Sequence, residues 1–529
     1  MAPEDRRGAW VLLVVLSAAL TAGFRFLALT FGNDHFTHLI SAQQLLMAGE
    51  WPTADYIDLG RPLQILASAA TQRLFGETLL TEAVLVCAAF GLASAATAAV
   101  VFAATGSALA AWAAVVVETA AFPRTYGYPK PLALAVGLLL IAQYLRRPTR
   151  GRELLMAAGT AMAFLFRHDL TAFVAAGGLA AVMLADPEAP WQARLRAALR
   201  FAAVASAMAA PYLIYVQVNG GLLNYIATAL QQNQREAGYL WLNPFQLGPP
   251  WEPQLLYAFH LLPVAVLAVC AVDRRHGRRD WTTRFAVCAA VVSIAANFGL
   301  IRHLLSARIP DAAVPAAVLG AWLGHRAWRS GQLTLALPSI ALLAGLGAAL
   351  AAYANIGEHL DRARLTRESL TDPGRVADRF AQQTALLSDR RGDPPSRTAI
   401  ALDPFFRYLD RCTTERHRLF LGGFIPEVAY LARRPFAGGG FEHYNFSSPV
   451  NQERVVRRLQ QQLVPFALIP SATASELDDD LPLVAAFFHG RYDLLADLPV
   501  AGEERIRIYV DRTLAPISRD PGTGWPCFV

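Results

Sequence analysis

Residues 9–30 read AWVLLVVLSAALTAGFRFLALT, an apolar run whose only charged residue is Arg25. A helix needs about 20 such residues to cross the hydrocarbon core of a bilayer. Similar runs recur through the first two thirds of this 529-residue chain, which is 54% hydrophobic and 17% charged. A soluble protein carries about 25% charged residues. The sequence therefore predicts a polytopic α-helical membrane protein.

About eleven transmembrane spans are predicted from these runs. They lie at roughly residues 9–30, 79–104, 107–122, 130–145, 153–166, 170–185, 199–217, 255–272, 284–301, 311–327 and 332–353. The short basic blocks between spans all fall on one side of this arrangement: Arg6 and Arg7, Arg146 and Arg147, Arg194 to Arg200, Arg274 and Arg275, and Arg326 with Arg329. By the positive-inside rule that side is the cytoplasm. We therefore expect a cytoplasmic N-terminus and an extracytoplasmic C-terminal segment.

Residues 6–23 also fit a secretory signal peptide, because two arginines precede an apolar core and small side chains follow it. Cleavage there would leave Asp34 near a mature N-terminus. The apolar run continues to Leu29, which favours a membrane span.

Two domains are predicted: a transmembrane domain over residues 1–353 and an extracytoplasmic α/β domain over residues 354–529. The first extracytoplasmic loop, residues 31–78, has apolar side chains at helical spacing in two stretches, which predicts amphipathic helices lying on the membrane surface. In the C-terminal segment, apolar runs at 398–402, 419–421, 466–469 and 505–510 alternate with helical patterns such as 452–463. Cys412 and Cys527 can pair there if the segment is extracytoplasmic.

A second outer loop, residues 218–254, combines amide side chains with Tyr and Trp. This composition suits the hydroxyls and ring faces of sugars, and it equally suits a membrane interface, where Trp and Tyr are enriched. Both interpretations stay open.

Ionisable residues gather at the predicted outer ends of the spans. The acids are Asp34, Asp55, Asp58, Glu118 and Asp169, and the basic residues are Arg61, Lys130, Arg167, His168, Arg302 and His303. Each has a structural explanation, since acids mark where a chain meets water and long cations reach out to the headgroups. Glu118 lies inside a span and is expected to need a cation such as Arg124, Lys130 or Arg167.

Together, one exposed carboxylate and several cations at lipid depth have a chemical use. Arginine and lysine would bind a lipid-linked phosphate, and the carboxylate would accept a proton from an attacking hydroxyl. With phosphate as the leaving group, the reaction would be glycosyl transfer from a polyprenyl-phosphate sugar through an oxocarbenium-like transition state.

Residues 34–52, Asp55, Tyr56 and the Arg61-Pro62-Leu63 tripeptide resemble the first-loop signature of GT-C class membrane glycosyltransferases. The pattern is most similar to bacterial members related to protein mannosyltransferases and to the lipid A aminoarabinose transferase. The resemblance implies a GT-C-like fold and an enzyme of the bacterial plasma membrane. Its implied partners are a polyprenyl-phosphate-linked sugar donor, membrane lipids and a glycan, lipid or protein acceptor.

By this resemblance Asp34 is the catalytic base and the transfer is inverting. We assign Lys130, Arg167, His168, Arg302 and His303 to the donor phosphate, with Asp55, Asp58, Arg61, Glu118 and Asp169 in supporting roles. His35 stands where the family often has Glu. No metal ligands are therefore assigned, and dependence on a divalent cation stays open.

Two other functions fit the same topology. A transporter or flippase of lipid-linked glycans would place charged residues near the bilayer midplane, and a noncatalytic envelope scaffold would tolerate the loss of Asp34. Nucleic-acid binding is not expected, because the arginines behind the net charge of +6 stand in short blocks between apolar spans.

Overall fold

The computed structural model describes residues 3–58, 60–240, 256–278, 280–301, 305–331, 333–365, 372–389, 397–441, 446–501 and 504–529. The helices up to residue 353 are α1 (Pro3–Leu27), α2 (Asn33–Ala48), α3 (Pro62–Phe75), α4 (Leu79–Thr105), α5 (Ala108–Ala120), α6 (Pro129–Arg146), α7 (Arg150–Phe166), α8 (His168–Leu184), α9 (Trp191–Asn219), α10 (Leu222–Leu240), α11 (Tyr257–Arg275), α12 (Trp281–Asn297), α13 (Leu305–Ser330) and α14 (Leu333–Tyr353). They are followed by α15 (Ile356–Ala363), α16 (Pro373–Ser388), α17 (Arg397–Ala401), α18 (Asp403–Cys412), α19 (Pro426–Ala432), α20 (Pro449–Gln461), α21 (Ala474–Asp480) and α22 (Pro482–His489).

Seven segments of the described chain are long and apolar enough to cross a membrane: Gly8–Leu27, Leu79–Thr105, Thr125–Arg146, Trp191–Asn219, Tyr257–Arg275, Trp281–Leu300 and Ala336–Tyr353. Two shorter apolar helices, Ala108–Ala120 and His168–Leu184, accompany them. The chain is therefore a helical membrane protein, as its composition predicts. Each of the eleven predicted spans coincides with a helix, while the number of crossings and their orientation stay predictions.

The chain divides into two compact units. The helical unit comprises Met1–Leu29, Ala83–Tyr212 and Glu236–Gln383, and the sheet unit comprises Thr30–Glu82, Leu213–Arg235 and Thr384–Val529. The first loop thus belongs to the same unit as the C-terminal segment, whereas the boundary drawn at residues 353 and 354 from sequence separates them.

Small side chains set the packing within the helical unit. A Cβ added to Gly177 of α8 would come within 2.4 Å of Val292 of α12 and 2.8 Å of Ile141 of α6. Glycine therefore lets these three backbones approach closely, as in other membrane bundles. This packing fixes the positions of α6 and α8. Lys130 lies in the first turn of α6, Arg167 is the N-cap of α8, and His168 is the first residue of α8.

The sheet unit contains a four-stranded sheet in the order β1, β2, β4, β3, built from β1 (Leu419–Leu421), β2 (Phe466–Pro470), β3 (Tyr492–Ala501) and β4 (Glu504–Asp511). Strands β1 and β2 are parallel, with Leu419 opposite Phe466, and the other pairs are antiparallel. All of β2 is buried. In β4, Ile506 and Ile508 are buried, whereas Arg505 is exposed and Arg507 is half-buried. A separate hairpin pairs β5 (Ser518–Arg519) with β6 (Pro526–Cys527).

Two local predictions were wrong. The run at 398–402 is not a strand, because Arg397–Ala401 forms helix α17. Helix α2 is not a surface amphipathic helix, since every residue from 35 to 44 is buried. Two of its buried side chains hydrogen-bond to the backbone of the sheet unit: Gln43 donates to the Arg434 carbonyl at 3.2 Å, and Gln44 donates to the Phe436 carbonyl at 3.1 Å.

Cys412 and Cys527 form a disulfide that joins the end of α18 to β6 across 115 residues of sequence. We expect the Cys412→Ser, Cys527→Ser double variant to lower the free energy of unfolding by about 2–5 kcal/mol, because the cross-link restricts the unfolded chain. Thermal unfolding and trypsin cleavage within residues 384–529 would measure the loss, and wild-type protein treated with a reductant should behave the same. Peptide mapping that finds both thiols free to alkylate would contradict the pairing.

Candidate functional site

Asp34 lies in the first turn of α2 and is half-buried. Gly32 is the N-cap of this helix, and the Thr37 hydroxyl donates to the Asp34 carbonyl at 2.9 Å. The Asn33 amide donates to the Phe424 carbonyl at 2.6 Å, which fixes the start of the helix within the sheet unit. The helix start and these two hydrogen bonds therefore hold Asp34 at a defined position.

His35 is completely buried and belongs to a polar network inside the sheet unit. Its Nε2 lies 3.0 Å from Glu82 Oε1, Ser68 donates to Glu82 Oε2 at 2.6 Å, and Gln72 donates to Ser68 at 3.0 Å. Buried polar groups of this kind are stabilising only when they are satisfied together. A carboxylate therefore does lie beside the start of α2, contributed by Glu82 from 47 residues along the chain.

A narrow polar cleft lies on the next turn of the same helix. Four of the side chains lining it can exchange protons or bind anions: His38, Tyr56, Asp58 and Arg61. Its other walls come from Thr37, Ser41, Ile57, Ile65 and Phe441. Of the predicted residues, Asp58 and Arg61 thus share one cleft, one helical turn from Asp34.

Two hydrogen bonds order the cleft. The Tyr56 hydroxyl donates to the Ser41 carbonyl at 3.3 Å, and Asp58 Oδ1 accepts from the Arg61 backbone N–H at 3.4 Å. Burial, followed by the negative charge of Asp58, raises the pKa of Tyr56 well above its usual value. Tyr56 therefore stays protonated at neutral pH and serves as a hydrogen-bond donor.

The Asp55 carboxylate interacts with neighbouring groups of the sheet unit. Its Oδ2 accepts from the Trp51 backbone N–H at 2.8 Å, and its Oδ1 lies 3.6 Å from Arg458. The neighbouring Glu50 accepts from Arg458 at 2.6 Å and from Arg418 at 2.9 Å, with all three side chains largely buried. These pairs bind the first loop to the C-terminal segment within the sheet unit.

In the helical unit, Lys130 and Arg167 belong to one charged cluster. Lys130 Nζ lies 2.5 Å from Asp311 Oδ2, and Arg167 Nε lies 2.8 Å from Asp169 Oδ1. Each cation also interacts with the other pair's carboxylate. Two cations and two carboxylates make the cluster formally neutral, so a phosphate would have to replace a carboxylate as partner.

His168 and Glu118 have local partners. His168 Nδ1 donates to the Phe164 carbonyl at 2.9 Å, and its ring stacks on the Phe164 ring with centroids 4.1 Å apart. Glu118 accepts from the Ser94 hydroxyl at 3.4 Å. The expectation that a cation pairs with Glu118 is wrong for Lys130 and Arg167, which are paired with Asp311 and Asp169 instead.

Arg25 is buried within the helical unit. Its guanidinium carbon lies 3.9 Å from the centroid of the Phe90 ring and 3.8 Å from that of Phe122, and its Nη2 donates to the Pro123 carbonyl at 2.5 Å. Cation–π contacts of this kind stabilise a charge in apolar surroundings. Arg25 thus connects α1, α4 and the segment after α5.

The remaining predicted residues, Arg302 and His303, lie outside the described part of the chain. Within the described residues, no group of three His, Cys, Asp or Glu side chains is arranged to hold a metal ion. Glu82 and Glu50 are not predicted as site residues from the sequence, because both reach their partners only through long-range packing.

The comparisons with known proteins give no further assignment: no protein-family model and no curated protein matches this chain.

Proposed function

We propose that this protein is a membrane glycosyltransferase that transfers a sugar from a polyprenyl-phosphate donor to a hydroxyl group of an envelope glycan, lipid or protein. In this proposal the enzyme is an inverting, GT-C-like protein with about eleven spans, and it works at the outer face of a bacterial plasma membrane. The carrying observation is the half-buried Asp34 at the start of α2, one turn from the cleft of His38, Tyr56, Asp58 and Arg61. The disulfide supports an extracytoplasmic location of the C-terminal segment, because disulfides persist in oxidising compartments.

The reaction balances with Asp34 as the only base. Asp34 accepts the proton of the acceptor hydroxyl as that oxygen bonds to the anomeric carbon of the sugar. The bond from that carbon to the phosphate oxygen breaks, and its electron pair leaves with the phosphate. The phosphate needs no proton from a general acid, because cations stabilise its charge.

The cleft supplies groups suited to a polyhydroxylated substrate. Arg61 is a bidentate donor for phosphate oxygens, and the Tyr56 oxygen, whose proton is donated to the Ser41 carbonyl, accepts a hydrogen bond from a sugar hydroxyl. An ionised Asp58 carboxylate accepts hydrogen bonds from sugar hydroxyls, and so does the unprotonated ring nitrogen of a neutral His38. The assignment of Lys130, Arg167, His168, Arg302 and His303 to the donor phosphate is part of the proposal.

The direct test uses the purified full-length protein in lipid nanodiscs with a set of radiolabelled polyprenyl-phosphate sugars. We expect one of them to be consumed and free polyprenyl phosphate to be released. A complementary analysis of a deletion strain should show an unprocessed lipid-linked sugar and an envelope glycan that lacks it. Movement of the donor across sealed vesicles without its consumption would instead establish a transporter and refute the proposal.

Lys130 offers a separate test of donor binding. Lys130→Met should raise the KM for the donor about 10-fold to 100-fold, the effect of losing one charged hydrogen bond. The Lys130→Met, Asp311→Asn double variant removes both charges of the ion pair, so that no Asp311 carboxylate is left without Lys130. If Lys130 binds phosphate, the double variant keeps the raised KM, whereas a restored KM would show that Lys130 only neutralises Asp311.

A further inference from the structure

An apolar groove in the helical unit lies between α5, α13 and α14. Its volume is about 760 Å³, which is within the range of about 300–1,000 Å³ typical of small-molecule sites. Most of its wall consists of alanine, glycine and leucine, with Ala110, Ala113, Ala317, Gly320 and Leu343 among them. The groove is therefore a suitable surface for a hydrocarbon chain.

Its length also fits a lipid tail. Along α5 the wall extends from Gly106 to Val117 and along α13 from Ala313 to Arg329. These distances are about 16 Å and about 24 Å at the rise of an α-helix. One leaflet contributes about 15 Å of hydrocarbon, so an acyl chain can lie along the groove.

The groove has one charged end. His325, Trp328 and Arg329 lie there on the last turns of α13, opposite the Gly106-Ser107 link that precedes α5. Among the described residues, no Asp or Glu lines the groove and Arg329 has no carboxylate partner. The adjacent Arg326, in contrast, is held by Asp273 at 2.6 Å.

Trp328 indicates that this end of the groove lies at a membrane interface. It is 88% exposed, and an exposed Trp at the end of a predicted membrane span is typical of the headgroup region. The arginine distribution predicts that this end faces the cytoplasm, where anionic lipids are enriched. It is thus the end opposite to the predicted catalytic face.

We propose that this groove binds an anionic glycerophospholipid, with one acyl chain between α5, α13 and α14 and the phosphate beside Arg329 and His325. The charge pattern selects this occupant, because an apolar wall with a basic and carboxylate-free end complements a lipid whose headgroup is negative. Zwitterionic lipids would gain the same apolar contacts and less from the charge.

The experiment uses the full-length protein in detergent micelles, titrated with dioleoyl-phosphatidylglycerol or dioleoyl-phosphatidylcholine and followed by native mass spectrometry. We expect the wild type to retain one phosphatidylglycerol preferentially. Arg329→Ala should weaken that binding about fivefold, the effect of one basic residue at a membrane surface. Arg275→Ala removes an exposed arginine at the end of α11 that is not among the residues lining the groove, and should leave binding unchanged.

A second pair of variants tests the tail. Ala113→Phe fills the groove from α5 and should abolish retention, whereas Val116→Phe alters an exposed position of the same helix outside the groove and should not. The proposal is overturned if both lipids bind equally, if Ala113→Phe retains phosphatidylglycerol, or if the groove variants change only self-association of the protein. Preferential retention of added undecaprenyl phosphate would also overturn it.

Discussion

An Asp34→Asn variant is expected to lose about 10²-fold to 10⁴-fold in the rate of sugar transfer, the contribution typical of a general base. The amide has nearly the shape of the carboxylate but cannot take the proton of the attacking hydroxyl. The measurement is kcat for release of polyprenyl phosphate by purified protein in nanodiscs. The KM for the donor should change little, because the lost interaction belongs to the transition state.

Asp479→Asn provides the matched control. Asp479 lies at the exposed face of α21 in the same sheet unit, and its substitution should leave transfer and unfolding temperature unchanged. Asp34→Asn should also unfold at the wild-type temperature to within a few degrees. Wild-type activity of Asp34→Asn would remove Asp34 from the mechanism and favour the scaffold interpretation.

Glu50→Gln should give the largest loss of stability among substitutions of charged residues in the first loop. It would leave Arg418 and Arg458, whose side chains are 15% and 19% exposed, without the carboxylate that both contact. Breaking a buried ion pair by removing one partner costs about 3–5 kcal/mol. The sheet unit should therefore unfold at lower temperature and be cleaved faster by trypsin.

Two further variants separate the ion pair from general effects. Glu453→Gln changes an exposed position of α20 and should have no effect, and Glu50→Asp should retain part of the stability because it keeps the charge. Equal stability of Glu50→Gln and wild type would show that the arginines are solvated without Glu50.

Much of the local structure follows from the sequence. Apolar runs of about 20 residues predict the long helices, and short links such as Gly106-Ser107 predict where they end: Gly106 has φ of 69°, and the Ser107 side chain caps α5. The runs at 419–421, 466–469 and 505–510 coincide with β1, β2 and β4, because alternating or fully buried apolar residues favour strands. The helical pattern at 452–463 is confirmed by α20.

The partners of the charged residues do not follow from the sequence. His35 meets Glu82 from 47 residues away and Glu50 meets Arg458 from 408 residues away. Lys130 pairs with Asp311 across 181 residues. The sequence contains many acidic residues that could pair with each cation, and only the folded chain determines which of them does.

By itself the sequence determined that this is a helical membrane protein, because the free energy of removing apolar side chains from water depends on local composition. The tertiary structure alone decided that α2 is buried instead of lying on a membrane surface, that Glu82 hydrogen-bonds to His35, and that Glu50 and Asp311 neutralise Arg458 and Lys130. The physical reason is that burial and ion pairing of a polar side chain depend on which distant segments cover it. No periodicity within the segment encodes that choice.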